Sequence, residues 1–142
     1  MIPRDPPNID GFQTEEAAAY VLALYDRWEW VLPAWCHRII LRFDPASGEP
    51  PAVPMSIDLV EPWYHFARIN VYPAFFSLDR DQDLIMLHEF GHVFLAPLAT
   101  RAHGFLGGGD ENEAQRTILE QQEDDVVEEL ARVWLWAGPR CG

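Results

Sequence analysis

A chain of 142 residues, 49% of them hydrophobic, is long enough to bury one core and too short for two, so residues 1–142 are expected to form a single domain. Ten arginines, no lysine and 23 acidic residues set the formal charge at -13, which argues against nucleic acid and anionic membranes as partners. No signal-peptide pattern opens the chain and no apolar stretch reaches the length of a membrane span, so the expectation is a soluble, cytoplasmic protein.

Residues 1–10 are proline-rich and polar and are expected to be irregular. Thr14, followed by Glu15 and Glu16, starts a helix that should run through Tyr25 and stop near Pro33, with Val21, Leu24, Trp28 and Val31 along its buried stripe. Cys36 and Cys141 form no C-x-x-C pair and read as reduced structural thiols. Residues 37–43 are rich in branched and aromatic side chains and read as a strand, and 55–60 and 64–72 read as two more. In the third, Ala67, Ile69 and Val71 face one way. That strand is either an ordinary edge or one that holds an extended peptide by backbone pairing.

The next helix is expected to be capped by Ser77 or Asp79, with Asp81 and Asp83 in its first turn and Pro97 ending or kinking it after about Leu95. Residues 103–109 read as a flexible connection or mobile flap whose glycines match no phosphate-binding fingerprint. From 110 to about 136, Ile118, Leu119, Val126, Val127, Leu130, Val133, Trp134 and Ala137 mark the buried stripe of a long helix, which Gly138 and Pro139 end. The expected fold class is α+β: an N-terminal helix, a small, mainly antiparallel three-stranded sheet, and two C-terminal helices packed face to face, with residues 66–72 beside their contact.

The first of those C-terminal helices carries His88-Glu89-Phe90-Gly91-His92 between apolar flanks. On a helix, H-E-x-x-H puts the two histidines one turn apart on one face, where both imidazoles can meet one metal ion. Zinc suits them, since it takes neutral imidazole nitrogens and in catalytic sites keeps a position open for water. Glu89 sits beside the metal without being aimed at it, as a general base needs to be. Gly91 allows another element to approach closely. The competing reading is an amphipathic helix whose histidines are merely satisfied polar groups.

Two histidines leave the metal one protein ligand short. The continuation H-x-x-G-x-x-H is absent, because Leu95 and Leu98 stand where Gly and His would be needed. A carboxylate from the second helix is the alternative, and at 100° per residue Glu123 falls near the middle of the apolar arc, Glu129 on its flank, Glu120 and Asp125 at or beyond its edges, and Glu128 nearly opposite. Glu123 is therefore the expected third ligand, with Glu129 and His103 as rivals. Pairing of Glu123 with Arg132 or Arg27 is the non-metal alternative.

The motif His88-Glu89-Phe90-Gly91-His92, followed by a Glu-bearing helix, resembles the gluzincin clan of zinc metallopeptidases and its minimal bacterial and phage-encoded members, including the ImmA/IrrE group. The resemblance covers residues 67–136. It implies a zincin-like fold, zinc (Zn2+) held by His88 and His92, Glu89 as base, and hydrolysis of a protein or peptide substrate by a metalloendopeptidase. The chain departs from the larger gluzincins at Val127, where Glu-x-x-x-Asp would place an acid. An oxyanion donor is sought among His103, His65, Tyr64 and Tyr72, with His103 the first choice. A narrow substrate range is expected for so compact a chain. The alternatives are a non-catalytic zincin-fold interaction or regulatory module and a metal-dependent hydrolase acting on another bond; oligomeric state is left open.

Overall fold

The computed structural model describes residues 4–46, 53–77 and 81–139. Its elements, in chain order, are β1 (Asn8–Asp10), α1 (Glu15–Trp28), β2 (Arg38–Phe43), β3 (Met55–Glu61), β4 (Phe66–Val71), α2 (Ala74–Ser77), α3 (Gln82–Leu106) and α4 (Glu113–Ala137), with short 3-10 turns at Glu29–Val31, Pro62–Tyr64 and Asp110–Asn112. The class is α+β, and the sheet is mixed.

The sheet has four strands in the order β1-β2-β4-β3, and only the β3–β4 pair is antiparallel. This corrects the three-stranded, mainly antiparallel expectation. The extra strand comes from the stretch expected to be irregular, with Asn8, Ile9 and Asp10 in parallel register with Ile40, Leu41 and Arg42. Arg4 anchors the approach to it, donating from Nε to the Cys36 carbonyl at 2.6 Å and from Nη2 to the Leu32 and Pro33 carbonyls at 3.2 and 3.1 Å. One guanidinium thus satisfies carbonyls left over where α1 and its 3-10 extension end. A three-residue strand with one apolar side chain has no readable alternation, so its signal lies in Arg4 rather than in the strand.

Thr14 caps α1 as expected, accepting from the Ala17 N–H at 3.0 Å. Val21, Leu24, Tyr25 and Trp28 of that helix are buried against Ile39, Leu41, Ala67, Ile69 and Val71 of the sheet and Met86, Leu87, Phe90 and Val93 of α3. Burial of each large side chain contributes about 1.5–3 kcal/mol before the entropy of ordering it. Asp83 ties α1 to the start of α3, accepting from Arg27 at 2.7 Å and from the Trp28 indole N–H.

β4 lies inside the sheet, between β2 and β3, so it is not the edge that would hold a peptide. β3 is the edge strand on that side of the sheet, and it, rather than β4, contributes Ser56, Ile57 and Val60 to the cleft beside α3. The cap of α3 is Asp81, which accepts from the Asp83 N–H at 3.1 Å; Ser77 belongs to α2, and Asp79 lies outside the described residues. The helix also runs on through Pro97 to Leu106, so residues 103–106 are helical and only 107–109 connect it to the turn before α4. Proline removes one backbone hydrogen bond there, and packing along α4 carries the helix past it.

Gly91 makes that packing close, for a Cβ built on it would lie 2.8 Å from Cγ1 of Val127. On α4 the buried residues are Val127 and Ala131, while Ile118, Val126 and Val133 of the expected stripe are exposed. Among the described residues no helix is long and apolar enough to cross a membrane.

Candidate metal centre

The histidines of α3 stand at the contact between α3 and α4, with their ring centroids 5.0 Å apart. Each ring presents one nitrogen to α4 and one to its neighbour. Nδ1 of His88 is 3.0 Å from Oε2 of Glu128, and Nδ1 of His92 is 2.9 Å from Oε2 of Glu123. An imidazole that donates from Nδ1 to a carboxylate keeps the lone pair of Nε2 for a metal ion. The two Nε2 atoms face each other at 3.3 Å, and Oδ1 of Asp124 lies 3.1 Å from the Nε2 of His92.

One atom from each of His88, His92 and Asp124 therefore falls within a 4.8 Å cluster able to hold a metal ion. Two of the separations, 3.3 and 3.1 Å, are close to the about 3.3 Å that zinc–nitrogen bonds of 2.0–2.1 Å at a tetrahedral centre put between ligand atoms. Carboxylates on the outer nitrogens are the usual means of holding metal-binding imidazoles in one tautomer.

Glu123, the expected third ligand, is on the outer side of His92 and not in the cluster; Asp124 occupies the place foreseen for it. Glu128, expected to point nearly opposite, holds His88 and also accepts from Nη2 of Arg132 at 3.3 Å. Neither arginine considered for Glu123 pairs with it, since Arg27 bonds to Asp83 and Arg132 to Glu128. Glu129 is exposed and lies outside the cluster. The missed residues, Asp124 and Glu128, have a sequence signal: a helix face centred on Val127 and Ala131 places both acids near its middle or edge.

Glu89 is half-buried beside the cluster, next to two cavities of about 680 and 500 Å³ that both reach His88. Burial, and after it the charge of Asp124, raise its carboxyl to about 8, against the backbone N–H of Ile57 on β3, which acts in the opposite direction. In the metal-free protein it thus keeps its proton to higher pH than an exposed carboxyl does. The larger cavity is walled by Ile57 and Val60 of β3 and by Ala96 and Ala99 of α3, and the smaller by Met55, Leu84 and Ile85, so the cleft extends to both sides of Glu89 along the edge strand.

The expected oxyanion donors are placed less favourably. His103 lines the larger cavity but lies eleven residues beyond His92, about 16 Å along the helix, too far to donate at the cluster. Tyr64 is 75% exposed, and His65 stacks on His37 and bonds to the Trp35 carbonyl. Tyr72 is linked to the cleft through a 2.9 Å hydrogen bond between its hydroxyl and Oγ of Ser56, which lines the larger cavity.

Comparison with known protein families, with curated proteins and with solved structures finds no match to this chain.

Proposed function

We propose that the chain is a zinc-dependent endopeptidase of the zincin type, with the metal held by His88, His92 and Asp124 and with Glu89 as general base. The observation that carries this reading is the convergence of two imidazole Nε2 atoms and one carboxylate oxygen at zinc-ligand spacing, beside a carboxyl whose proton affinity is raised toward neutrality. Zinc, when bound, supplies the positive charge that makes water nucleophilic near neutral pH. Glu123 and Glu128 keep the imidazoles oriented and more basic. Glu89 takes the proton of the attacking water and passes it to the leaving amine.

β3 supplies the path for a protein or peptide substrate. Among the described residues its outer edge pairs with no strand, and it runs past Glu89, so an extended chain paired to it would cross the cleft from one cavity to the other. An edge strand, a metal helix and a second acid-bearing helix also support a zincin-like reading of the fold. Val127, where larger gluzincins carry an acid, packs against Gly91, and the carboxylates for the outer ring nitrogens come from positions 123 and 128 instead.

One observation favours a non-catalytic zincin-fold module instead: neither His65, Tyr64 nor His103 places a donor at the cluster. Two measurements separate the readings. Protein purified without added metal should carry about one zinc per chain. Glu89→Gln should retain that zinc and lose hydrolysis in a proteome-derived peptide library. Wild type without zinc, and unresponsive to it, defeats the metal assignment; equal cleavage by Glu89→Gln defeats the role of Glu89; zinc without any cleavage selects the module.

A further inference from the structure

The α3–α4 hairpin has a second concave surface, which adjoins the histidine cleft at Ala99 and Glu123 and extends from there toward Phe105. Two cavities of about 320 and 390 Å³ share Ala102 and Leu119 and form one groove between the helices. Its walls are apolar and open to solvent: Leu98 is 68% exposed, Phe105 92%, Ile118 55% and Val126 48%. These four side chains alone present apolar surface on the order of 400 Å², the size of the largest patch on a typical monomer, which is often functional. From residue 115 to 126 the groove follows α4 for about 16 Å, or three turns, which matches an inserted helix reading i, i+3/i+4 and i+7.

Charge selects the occupant. The sequence of α4 has seven acidic side chains and two arginines, and both arginines are engaged, Arg116 with the Gly107 carbonyl and Arg132 with Glu128. At 100° per residue the exposed Asp125 and Glu129 flank the groove-lining positions, and Glu123 forms part of the groove itself. A second copy would bring the same acids and another net charge of -13 to the contact. We infer that this groove docks an amphipathic helix from another protein, with apolar residues on one face and basic residues beside them.

The test uses a fluorescently labelled peptide of about fourteen Leu and Lys residues in amphipathic helical order, titrated with the full chain near physiological salt and followed by anisotropy. Controls are the same composition with the helical period broken and a Leu/Glu counterpart. The amphipathic Leu/Lys peptide should bind at least tenfold more tightly than either control. Leu98→Ser combined with Val126→Ser should weaken it at least tenfold, with an unchanged circular dichroism spectrum and unchanged zinc content. The inference is overturned by no binding, by equal binding of the period-broken peptide, or by undiminished binding to the folded double variant. It is also overturned if sedimentation shows a wild-type dimer that the double variant makes monomeric, since a second copy then fills the groove.

Discussion

Replacing Glu89 with glutamine should stabilise the metal-free protein, and by an amount that grows with pH. Burial raises the Glu89 carboxyl from 4.5 to about 8 in the folded chain. Between those values the native state keeps a proton that the unfolded state releases, so the unfolded state binds fewer protons and stability falls as pH rises. A full shift corresponds to about 1.4 kcal/mol per pH unit, and from pH 5 to pH 8 the expected loss is about 3 kcal/mol. Glutamine keeps the shape and an acceptor for the Ile57 N–H but has no proton to lose. Urea unfolding of both proteins, freed of metal, at pH 5, 6, 7 and 8 gives the difference directly, since the other carboxylates titrate in both. The stability gap should open in favour of Glu89→Gln as pH rises. A gap that stays constant refutes the reasoning, because it means that Glu89 is already ionised in the fold at pH 5.

Three further outcomes follow from the geometry. Asp124→Ala should abolish stoichiometric zinc binding, whereas Glu123→Ala and Glu128→Ala should weaken it about 10–100-fold without abolishing it; zinc retained by Asp124→Ala and lost by Glu123→Ala would return Glu123 to the ligand set. Gly91→Ala should cost about 1–3 kcal/mol in thermal or urea unfolding, because its Cβ would meet Val127 at 2.8 Å, and Val127→Ala in the same chain should recover much of it. Cys36 is fully buried, and burial pushes its thiol up to about 11, so in a Cys141→Ser background alkylation at pH 8 should be at least 100-fold slower than in the denatured chain.

Much of the fold is legible in the sequence where periodicity and capping agree. Thr14 with its two acids, the alternation of Ala67, Ile69 and Val71, and the H-E-x-x-H helix all lie where local chemistry places them. What was not legible depends on contacts distant in sequence. β1 exists because Arg4 bonds to carbonyls about thirty residues away, and no window around Asn8 contains that information. Pro97 reads as a stop, yet α3 continues because α4 packs along it. The sequence points to Glu123 and passes over Asp124 because an arc of Leu119, Val126, Val127 and Leu130 is centred near position 123. The inward direction is set by Val127 and Ala131, and Val126 is 48% exposed.

That same contact explains how a helix with so many acids can assemble an ordered site. Gly91 lies between His88 and His92 in sequence, and its missing side chain lets α4 approach through Val127. Glu123 and Glu128 are five residues apart, about 140° around the helix, and so fall on either side of that contact, one at the outer nitrogen of each imidazole. Asp124 lies angularly between them and meets the inner nitrogen of His92. The three acids, spread over about 7.5 Å of one helix, thus meet different ring nitrogens, two on the outer side and one on the inner side, because the helix spacing differs from the spacing of the histidines. A wider separation of α3 and α4 would lengthen all three contacts together. Packing at Gly91 is therefore part of the chemistry of the site as much as of the stability of the fold.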